Sequence, residues 1–242
     1  MKILIGTNLL ANVDASIYSN HTAFYYHLGK LSVARGWKFF QCPPLRMSID
    51  RMRNEAARMA LELECDYLVF IDDDMLLEMD TMEKLIDSDK DIVMAHTYIR
   101  GYPFNPMSFI RKKSKDPSDI RLTHFKKVMS KSVNGLAKCD AVGFACVAIK
   151  TKLLRELDPP WFVTGPDGTE DIYFCLRCTM EREEPTEIYV RTDCPTGHLL
   201  GPSYVGEDTV KKLRVLYRQP TEESNGRQDR TQEYHEMLEN LK

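Results

Sequence analysis

Three consecutive aspartates, Asp72, Asp73 and Asp74, follow an apolar run that spans residues 67–71. Adjacent carboxylates repel one another, so holding them together costs free energy unless a cation neutralises them. Side chains alternate in direction along an extended chain, so Asp72 and Asp74 point the same way and Asp73 points the opposite way. Two such carboxylates suit Mg²⁺ or Mn²⁺, whose sites commonly also hold substrate phosphates. The pattern predicts a D-x-D metal site, with a solvated acidic loop as the alternative.

A second pair of acids, Glu170 and Asp171, follows the loop "TGPDG" at the predicted start of a helix that Thr169 would cap. The glycines and the proline of this loop favour an exposed position for the pair. One of the two carboxylates could act as a general base that takes a proton from an acceptor hydroxyl. The alternative is structural, because acids in a first helical turn complement the helix dipole.

His198 lies in the segment "TGHLLG" and is a candidate for a further ligand of the same metal. A competing interpretation joins it to Cys175, Cys178 and Cys194, whose spacing is typical of a structural zinc site. Against zinc, Cys175 and Cys178 belong to an amphipathic pattern in which small buried thiols need no metal. A histidine with a purely structural role is the remaining alternative.

Arg53 and Asn54 lie early in the predicted helix that precedes the strand with the aspartates. The start of that helix faces the same edge of the sheet, so the pair could contact the base or ribose of a nucleotide. Arginines on helices are more commonly solvated, and this is the alternative.

Strands and helices alternate along the first hundred residues. Apolar runs predict strands at 2–7, 37–41, 67–71 and 91–95. Apolar residues at intervals of three and four predict helices at 18–35, from Ser48 onward and at 81–86. This order is typical of an α/β fold with a mostly parallel central sheet flanked by helices. Ligands of such sheets bind at the carboxyl ends of the strands, which is where the three aspartates are expected.

The composition fits an enzyme-sized globular protein. The 242 residues are 43% hydrophobic, and the net charge of −3 argues against a general binder of polyanions. Seven cysteines, an odd number, favour a reducing compartment, so a cytoplasmic location is expected. The apolar stretch in the amino-terminal segment "MKILIGTNLL" is too short for a signal peptide. No apolar run has the length that a membrane span requires.

One segment, residues 111–138, is locally basic, with nine lysines and arginines against two acids. Such a segment could attract a polyanion through phosphate contacts, including DNA that carries hydroxylated bases. A solvated hairpin is the alternative interpretation.

Five segments in order resemble the GT-A fold glycosyltransferases, particularly the family 2-like enzymes. They are "ILIGTN", "RMRNEAARMALELECDYLVFIDDDM", "DAVGFACVAIKTKLL", "TEDIYFCLRC" and "GHLLGP", and together they extend to about residue 202. The resemblance implies a GT-A type, Rossmann-like α/β fold. It also implies a nucleotide-sugar donor, expected to be a UDP-sugar, and an Mn²⁺ or Mg²⁺ cofactor. The activity implied is transfer of the sugar to an acceptor hydroxyl.

The resemblance also implies roles for individual residues. Asp72 and Asp74 would hold the metal against the donor diphosphate, and His198 would complete the metal shell. Asp171 would be the catalytic base of an inverting reaction, with Glu170 as the second candidate. The residues that match nucleotide contacts in the family are Thr7, Arg53, Asn54, Asp72 and Asp73. Those that match the sugar pocket are Gly143 and Phe144.

The expected domain organisation is one glycosyltransferase domain at residues 1–205. Its donor half would cover about 1–100 and its acceptor half about 101–205, and residues 206–242 would form a charged helix or tail. The acceptor itself stays open between a glycan, a lipid-linked or surface polysaccharide, and a hydroxylated DNA base.

Three other functions share parts of the pattern. A nucleotidyltransferase shares the metal aspartates, but its usual Gly-rich basic loop is missing from "GTNLLANVDAS". A haloacid-dehalogenase-like phosphatase uses D-x-D with the first aspartate as nucleophile, yet it usually has Thr or Val where this chain has Leu76. A binding module that keeps the fold without chemistry is the third alternative.

Overall fold

The computed structural model describes most of the chain. The described ranges are residues 1–7, 13–42, 47–112, 125–127, 131–165, 168–201 and 203–217. Much of the basic segment 111–138 and most of the expected tail 206–242 lie outside these ranges.

Six helices and thirteen strands are formed by the described residues. The helices are α1 Ala15–Arg35, α2 Ile49–Glu62, α3 Thr81–Ile86, α4 Lys152–Glu156, α5 Glu170–Met180 and α6 Val210–Leu216. The strands of the first half are β1 Lys2–Gly6, β2 Lys38–Cys42, β3 Tyr67–Ile71, β4 Met75–Leu76, β5 Ile92–His96 and β6 Ser108–Arg111. The remaining strands are β7 Phe125–Lys127, β8 Leu136–Lys138, β9 Ala141–Val142, β10 Cys146–Lys150, β11 Ile188–Pro195, β12 Gly197–Leu200 and β13 Ser203–Val205.

The main sheet of the described residues has seven strands in the order β2-β1-β3-β10-β5-β11-β8. Strands β1, β2 and β3 pair in parallel, as do β5 and β11. Strand β10 lies antiparallel between β3 and β5, and β8 is antiparallel to β11. Five strands therefore run in one direction and two in the other. This confirms the predicted α/β class with a mostly parallel central sheet flanked by helices.

Both faces of the main sheet are covered, which explains the continuous apolar runs of its central strands. In β3 the side chains of Leu68 and Phe70 pack in one apolar cluster with α2 and α5. The alternate side chains Val69 and Ile71 pack in a second cluster with α1 and α3. The sheet is thus the middle layer of three, and the strand that ends at the aspartates is fully buried.

Helix α1 begins three residues before the predicted start at Tyr18. The Asp14 carboxylate accepts the backbone N–H of Ser16 at 2.8 Å, which satisfies a free donor of the first turn. The helix ends where Gly36 adopts a left-handed conformation with φ 65°. The predicted start at Tyr18 is too late, because Ile17, one residue before it, is buried and belongs to the apolar face of α1, whereas Tyr18 is exposed.

Asp91, directly before β5, links this strand to α4 and to the start of β11. This buried carboxylate lies 2.7 Å from the Lys152 ammonium and accepts the backbone N–H of Glu187 at 3.1 Å. Burial raises the pKa of Asp91, but the hydrogen bonds from Lys152 and Glu187 outweigh this effect, so its pKa lies below the ordinary value. The charged form therefore stabilises the contact between β5, α4 and β11.

The substitution Asp91→Asn is expected to lower the free energy of unfolding at pH 7 by about 1.5–3 kcal/mol, the usual contribution of a hydrogen bond to a charged group. Because the folded pKa is lowered, this contribution is fully present above the ordinary carboxyl pKa of about 4. It is lost as the pH falls through the lowered folded value. Urea unfolding at several pH values should therefore show the gap between wild type and variant narrowing in acid, and a constant gap would contradict this assignment.

A small antiparallel sheet, β13-β12-β4, lies beside the main sheet and positions the candidate site. Strand β4 begins directly after Asp74, and its Met75 pairs with His198 of β12. This pairing places His198 beside the aspartates. Another small sheet has the order β7-β6-β9.

Helix α6 is the last element of the described chain. Val210 and Leu213 of α6 pack on Phe104 and Val205. None of the helices in the described ranges combines the length and the apolar character needed to cross a lipid bilayer.

Candidate active site

The three aspartates lie where β3 ends, at the carboxyl edge of the main sheet. The backbone N–H of Asp72 donates to the carbonyl of Ala145 at 2.8 Å, which continues the pairing of β3 with the chain entering β10. The Asp72 Oδ1 atom lies 3.4 Å from the Arg53 guanidinium. Removal from solvent raises the pKa of the Asp72 carboxyl to about 6, although the charge of Arg53 opposes the rise and Asp74 adds to it. A bound cation would relieve this unfavourable position of a negative charge.

Asp74 is the best candidate for direct metal ligation. Its Oδ2 atom lies 2.9 Å from Arg100 Nη1 and 3.4 Å from His198 Nε2. Its Oδ1 atom is buried and has no hydrogen-bond partner among the described residues. Burial raises the pKa of Asp74, but the contacts with His198 and Arg100 hold it below the ordinary value. The carboxylate is therefore charged at neutral pH and has one oxygen that lacks a partner.

The imidazole of His198 is held in a fixed orientation. Its Nδ1 atom lies 2.8 Å from the carbonyl oxygen of Tyr98, and because a carbonyl only accepts, Nδ1 carries the hydrogen. The other nitrogen, Nε2, faces Asp74. Metal-binding histidines commonly donate their second ring N–H to a backbone carbonyl in this manner.

The residues present fit a cation that arrives with phosphate. In the ranges that the structure describes, no three His, Cys, Asp or Glu side chains are already grouped to hold a metal. Asp74 and His198 supply two ligands side by side, and the unpartnered Asp74 oxygen fits a cation. Mg²⁺ and Mn²⁺ sites of this kind take their remaining ligands from substrate phosphates and water.

The zinc interpretation of the cysteines is wrong. All seven cysteines are buried and free. Cys175 and Cys178 pack in the apolar cluster on one face of the main sheet, while Cys194 packs in the cluster on the other face. Burial raises the pKa of Cys175 well above the ordinary value, which disfavours the thiolate that zinc requires. These thiols are core residues.

Asp171 is half-buried and lies in the first turn of α5. Thr169 has the predicted N-cap position, but its side chain makes no capping hydrogen bond to the backbone. The Asp171 Oδ1 atom accepts the hydroxyl of Thr169 and, at 2.7 Å, the backbone N–H of Ile172. Its Oδ2 atom lies on the side of Gly143, where an added Cβ would come within 3.5 Å of it. The same Cβ would lie 2.3 Å from the Met107 Cε atom and 3.1 Å from the Met107 Cβ atom, so a larger residue here would displace the Met107 side chain. The carboxylate is thus anchored by one oxygen and presents the other.

Glu170 is held in the interior instead. Its Oε1 atom lies 3.1 Å from Arg53 Nε, and its Oε2 atom accepts the Thr164 hydroxyl at 3.3 Å. Burial, followed by the charge of Asp171, raises the pKa of Glu170. Of the two acids at this helix start, Asp171 is the more exposed.

The buried Arg53 side chain contacts both acidic groups of the candidate site, Asp72 and Glu170. Its guanidinium stacks on the rings of Phe70 and Phe144, donates to the Phe144 carbonyl at 3.0 Å, and contacts both Asp72 and Glu170. Arg53 is 2% exposed and Phe144 is 1% exposed. The direct nucleotide contact expected of Arg53 and the sugar-pocket position expected of Phe144 therefore gain no support from their placement. Both residues support the site from the core.

Asn54 also faces the protein interior. Its amide nitrogen donates to the carbonyls of Asp50 and Phe162, and its oxygen accepts the N–H groups of Trp161 and Phe162. These contacts use the whole hydrogen-bonding capacity of the amide. Asn54 thus fixes the 161–162 segment on α2, and the nucleotide contact expected of it gains no support.

Two further predicted nucleotide contacts lie at the edge of the sheet. Thr7 directly follows β1, and its hydroxyl lies 3.2 Å from that of Tyr25 on α1. Asp73 lies between the two candidate metal aspartates and is partly buried. Their placement at the carboxyl ends of β1 and β3 keeps both available as proposals.

No family model and no curated protein matches this chain, but several solved structures are similar to it. A197 from STIV is similar to it at 19% identity, with 83% of this chain and 86% of that chain covered and a TM-score of 0.52. This likeness shows a shared fold and nothing about activity.

This chain spans only part of two other similar structures. GalNAc-T7, solved with UDP, GalNAc and Mn²⁺, matches at 13% identity over 82% of this chain and 44% of that chain, with a TM-score of 0.49. S. aureus TarS 1-349 matches at 15% identity over 80% of this chain and 58% of that chain, with a TM-score of 0.43. Both scores lie below 0.5, so no conclusion about this chain rests on them.

Sequence reasoning missed Tyr98 and Arg100, which follow β5 in the segment "HTYIRGYPF". A usable signal was present, because the carboxyl ends of parallel strands meet at one edge and β5 runs in the same direction as β3. It also missed a cavity of about 640 Å³ beside β4 and β12, whose lining includes Leu76, Gly197 and Tyr204. Two lining residues, Leu76 and Gly197, are close in sequence to the candidate metal ligands Asp74 and His198. None of the predicted site residues lines the cavity.

Proposed function

We propose that this protein is a metal-dependent glycosyltransferase that moves a sugar from a nucleotide-sugar donor, with UDP-sugars as the first candidates, to an acceptor hydroxyl. One observation carries the proposal. At the carboxyl end of β3, the partly buried Asp74 has one buried oxygen without a partner among the described residues. It lies beside an imidazole, His198, whose other nitrogen is fixed by a carbonyl. The catalytic unit of the proposal spans residues 1–205.

Asp74 and His198 would hold the divalent cation, and Asp72 would lie next to it. The cation, Mn²⁺ or Mg²⁺, would neutralise the charge that develops on the diphosphate leaving group. Asp72 and Asp74 together supply the negative charge that keeps the cation in place. Thr7 and Asp73, at the ends of β1 and β3, are proposed to contact the nucleotide.

Asp171 is proposed as the general base. Its Oδ1 atom is fixed by Thr169 and by the Ile172 N–H, so its Oδ2 atom can accept the proton of an acceptor hydroxyl held near Gly143. The acceptor oxygen would attack the anomeric carbon on the side opposite the leaving diphosphate, which inverts the configuration. Glu170, tied to Arg53 and Thr164, is the weaker candidate.

Arg53 supports the proposal that both halves form one site. The same guanidinium contacts Asp72, next to the candidate cation, and Glu170, next to the candidate base. A buried arginine with two carboxylate partners is strongly fixed, since separating it from either would leave a buried charge. Arg53 is therefore a positioning residue in this scheme.

A panel of nucleotide sugars tests the proposal. Binding of UDP-, GDP- and CMP-sugars would be measured by calorimetry with and without Mn²⁺, and donor hydrolysis would be followed by release of the nucleotide. We expect at least one donor to bind and to hydrolyse slowly only when the metal is present. Glycans and DNA with hydroxylated bases would then be offered as acceptors.

The outcomes separate the alternatives. If no nucleotide sugar binds with Mn²⁺ present, the proposal fails. Release of phosphate from simple phosphate esters would favour a phosphatase, and formation of a nucleotide sugar from a sugar phosphate and a nucleoside triphosphate would favour a nucleotidyltransferase. Tight donor binding with no turnover on any acceptor would favour a binding module.

A further inference from the structure

The Arg100 guanidinium is paired with the Asp74 carboxylate, which is proposed to bind the cation. Arg100 follows β5, and its side chain is 54% exposed. Its Nη1 atom lies 2.9 Å from the Asp74 Oδ2 atom, the same oxygen that lies 3.4 Å from His198 Nε2. A positive side chain thus lies beside the place where the cation is proposed to bind.

Arg100 pairs with Oδ2 of Asp74, and the oxygen left for a cation is Oδ1 of the same carboxylate. A divalent cation and a guanidinium on one carboxylate repel each other, because both are positively charged. The ion pair is easily broken, since an exposed pair contributes only about 0.2–1 kcal/mol. Arrival of the metal would therefore displace the guanidinium from Asp74.

The backbone around Arg100 is held in place, so only its side chain needs to move. The N–H of Ile99 donates to the Asn105 carbonyl at 2.9 Å, and the N–H of Phe104 donates to the Gly101 carbonyl at 2.8 Å. From α6, Arg214 donates to the carbonyls of Pro103 and Phe104 at 2.9 and 3.0 Å. The displaced guanidinium accordingly stays close to the cation and to any anion bound with it.

We propose that Arg100 exchanges partners when the donor binds: it pairs with Asp74 in the free protein and with the donor diphosphate in the loaded protein. This inference rests on the proposed function. A guanidinium matches two phosphate oxygens with two parallel hydrogen bonds, and such charge-assisted bonds are stronger than neutral ones. Arg100 would thus weaken binding of the metal alone and strengthen binding of the metal together with a nucleoside diphosphate. The protein would favour the loaded complex over a bare cation.

The substitution Arg100→Ala should change the two affinities in opposite directions. Mn²⁺ alone, measured by electron paramagnetic resonance of the free ion, should bind more tightly by a factor of about 1.4–5, because a competing pair of about 0.2–1 kcal/mol is removed. UDP and GDP, titrated calorimetrically at saturating Mn²⁺, should bind about tenfold more weakly, because a hydrogen bond to a charged group is lost. Arg100→Lys, which keeps the charge without the paired donors, should lie between.

Arg58→Ala is the matched control. Arg58 is 52% exposed and pairs with Glu55 and Glu62 on the surface of α2, so its removal should change neither affinity. Thermal unfolding of each variant checks that the fold is retained.

The possible results are distinguishable. If Arg100→Ala weakens Mn²⁺ binding, or leaves the affinity for both nucleoside diphosphates unchanged, the partner exchange is overturned while the proposed function stands. If the wild-type protein binds Mn²⁺ but neither diphosphate, the proposed function fails and the exchange fails with it. If the wild-type protein does not bind Mn²⁺ even when UDP or GDP is present, both fail at the metal.

Discussion

The substitution Asp74→Asn is expected to weaken Mn²⁺ binding by about 100-fold or more, since loss of contacts in the outer shell alone costs 10–100-fold. The asparagine keeps the shape of the side chain but removes the charge that attracts the cation and orients it beside His198. Wild-type protein should be stabilised against heat by Mn²⁺ with UDP, because a ligand that binds only the folded state raises the unfolding midpoint. The variant should lose this response.

The fold itself should survive this change. Breaking the exposed Arg100 pair costs less than about 1 kcal/mol, so the unfolding midpoint without ligand should move little. Asp80→Asn is a suitable control, because Asp80 is exposed and pairs with Lys84 on the surface. A variant at position 74 that retained the full metal response would remove Asp74 from the site.

The second large effect is expected for Asp171→Asn. Loss of a general base typically lowers the rate by about 10²–10⁴-fold. Asparagine can still accept the Thr169 hydroxyl and the Ile172 N–H through its carbonyl oxygen, so the geometry of the helix start is kept. Donor binding should therefore be unchanged while turnover of the bound donor is lost.

Single-turnover measurements with saturating donor separate these two steps. Glu181→Gln, at the far end of α5 where the carboxylate pairs with Arg177, should turn over at the wild-type rate. Glu170→Gln should chiefly lower stability, because it leaves the buried Arg53 with one carboxylate fewer. A variant at position 171 with normal turnover would require a different base, and Glu170 would be tested first.

Much of the fold could be predicted from local pattern. The strand 67–71 and the helix 81–86 have the predicted bounds, and Ser48 and Thr169 directly precede their helices. Each of these has a strong local signal, either a continuous apolar run or a cap residue before periodic apolar positions. The antiparallel direction of β10 had no such signal, because direction depends on the path of the chain between distant strands.

The site was harder to predict than the fold. Strand β4 has two residues and β12 has four, which is too short to show periodicity, yet their pairing is what brings His198 to Asp74. For Arg53 the periodicity did contain the answer. It lies four residues after Ile49 and four before Ala57, on the buried face of α2, so an interior position was indicated. An arginine on a helix is usually expected to be solvated. The contacts of Arg53 with Asp72 and Glu170 make its burial favourable.

The distance along the chain between the parts of the site affects the order in which the protein can mature. His198 lies 100 positions after its partner Tyr98, and the aspartates precede both. During synthesis the amino-terminal strands emerge first, so the acidic cluster is made well before the segment that would share its cation. A nascent chain that stops before β12 would carry the aspartates without the imidazole. Competence to bind metal should therefore appear late, only after the small sheet has closed.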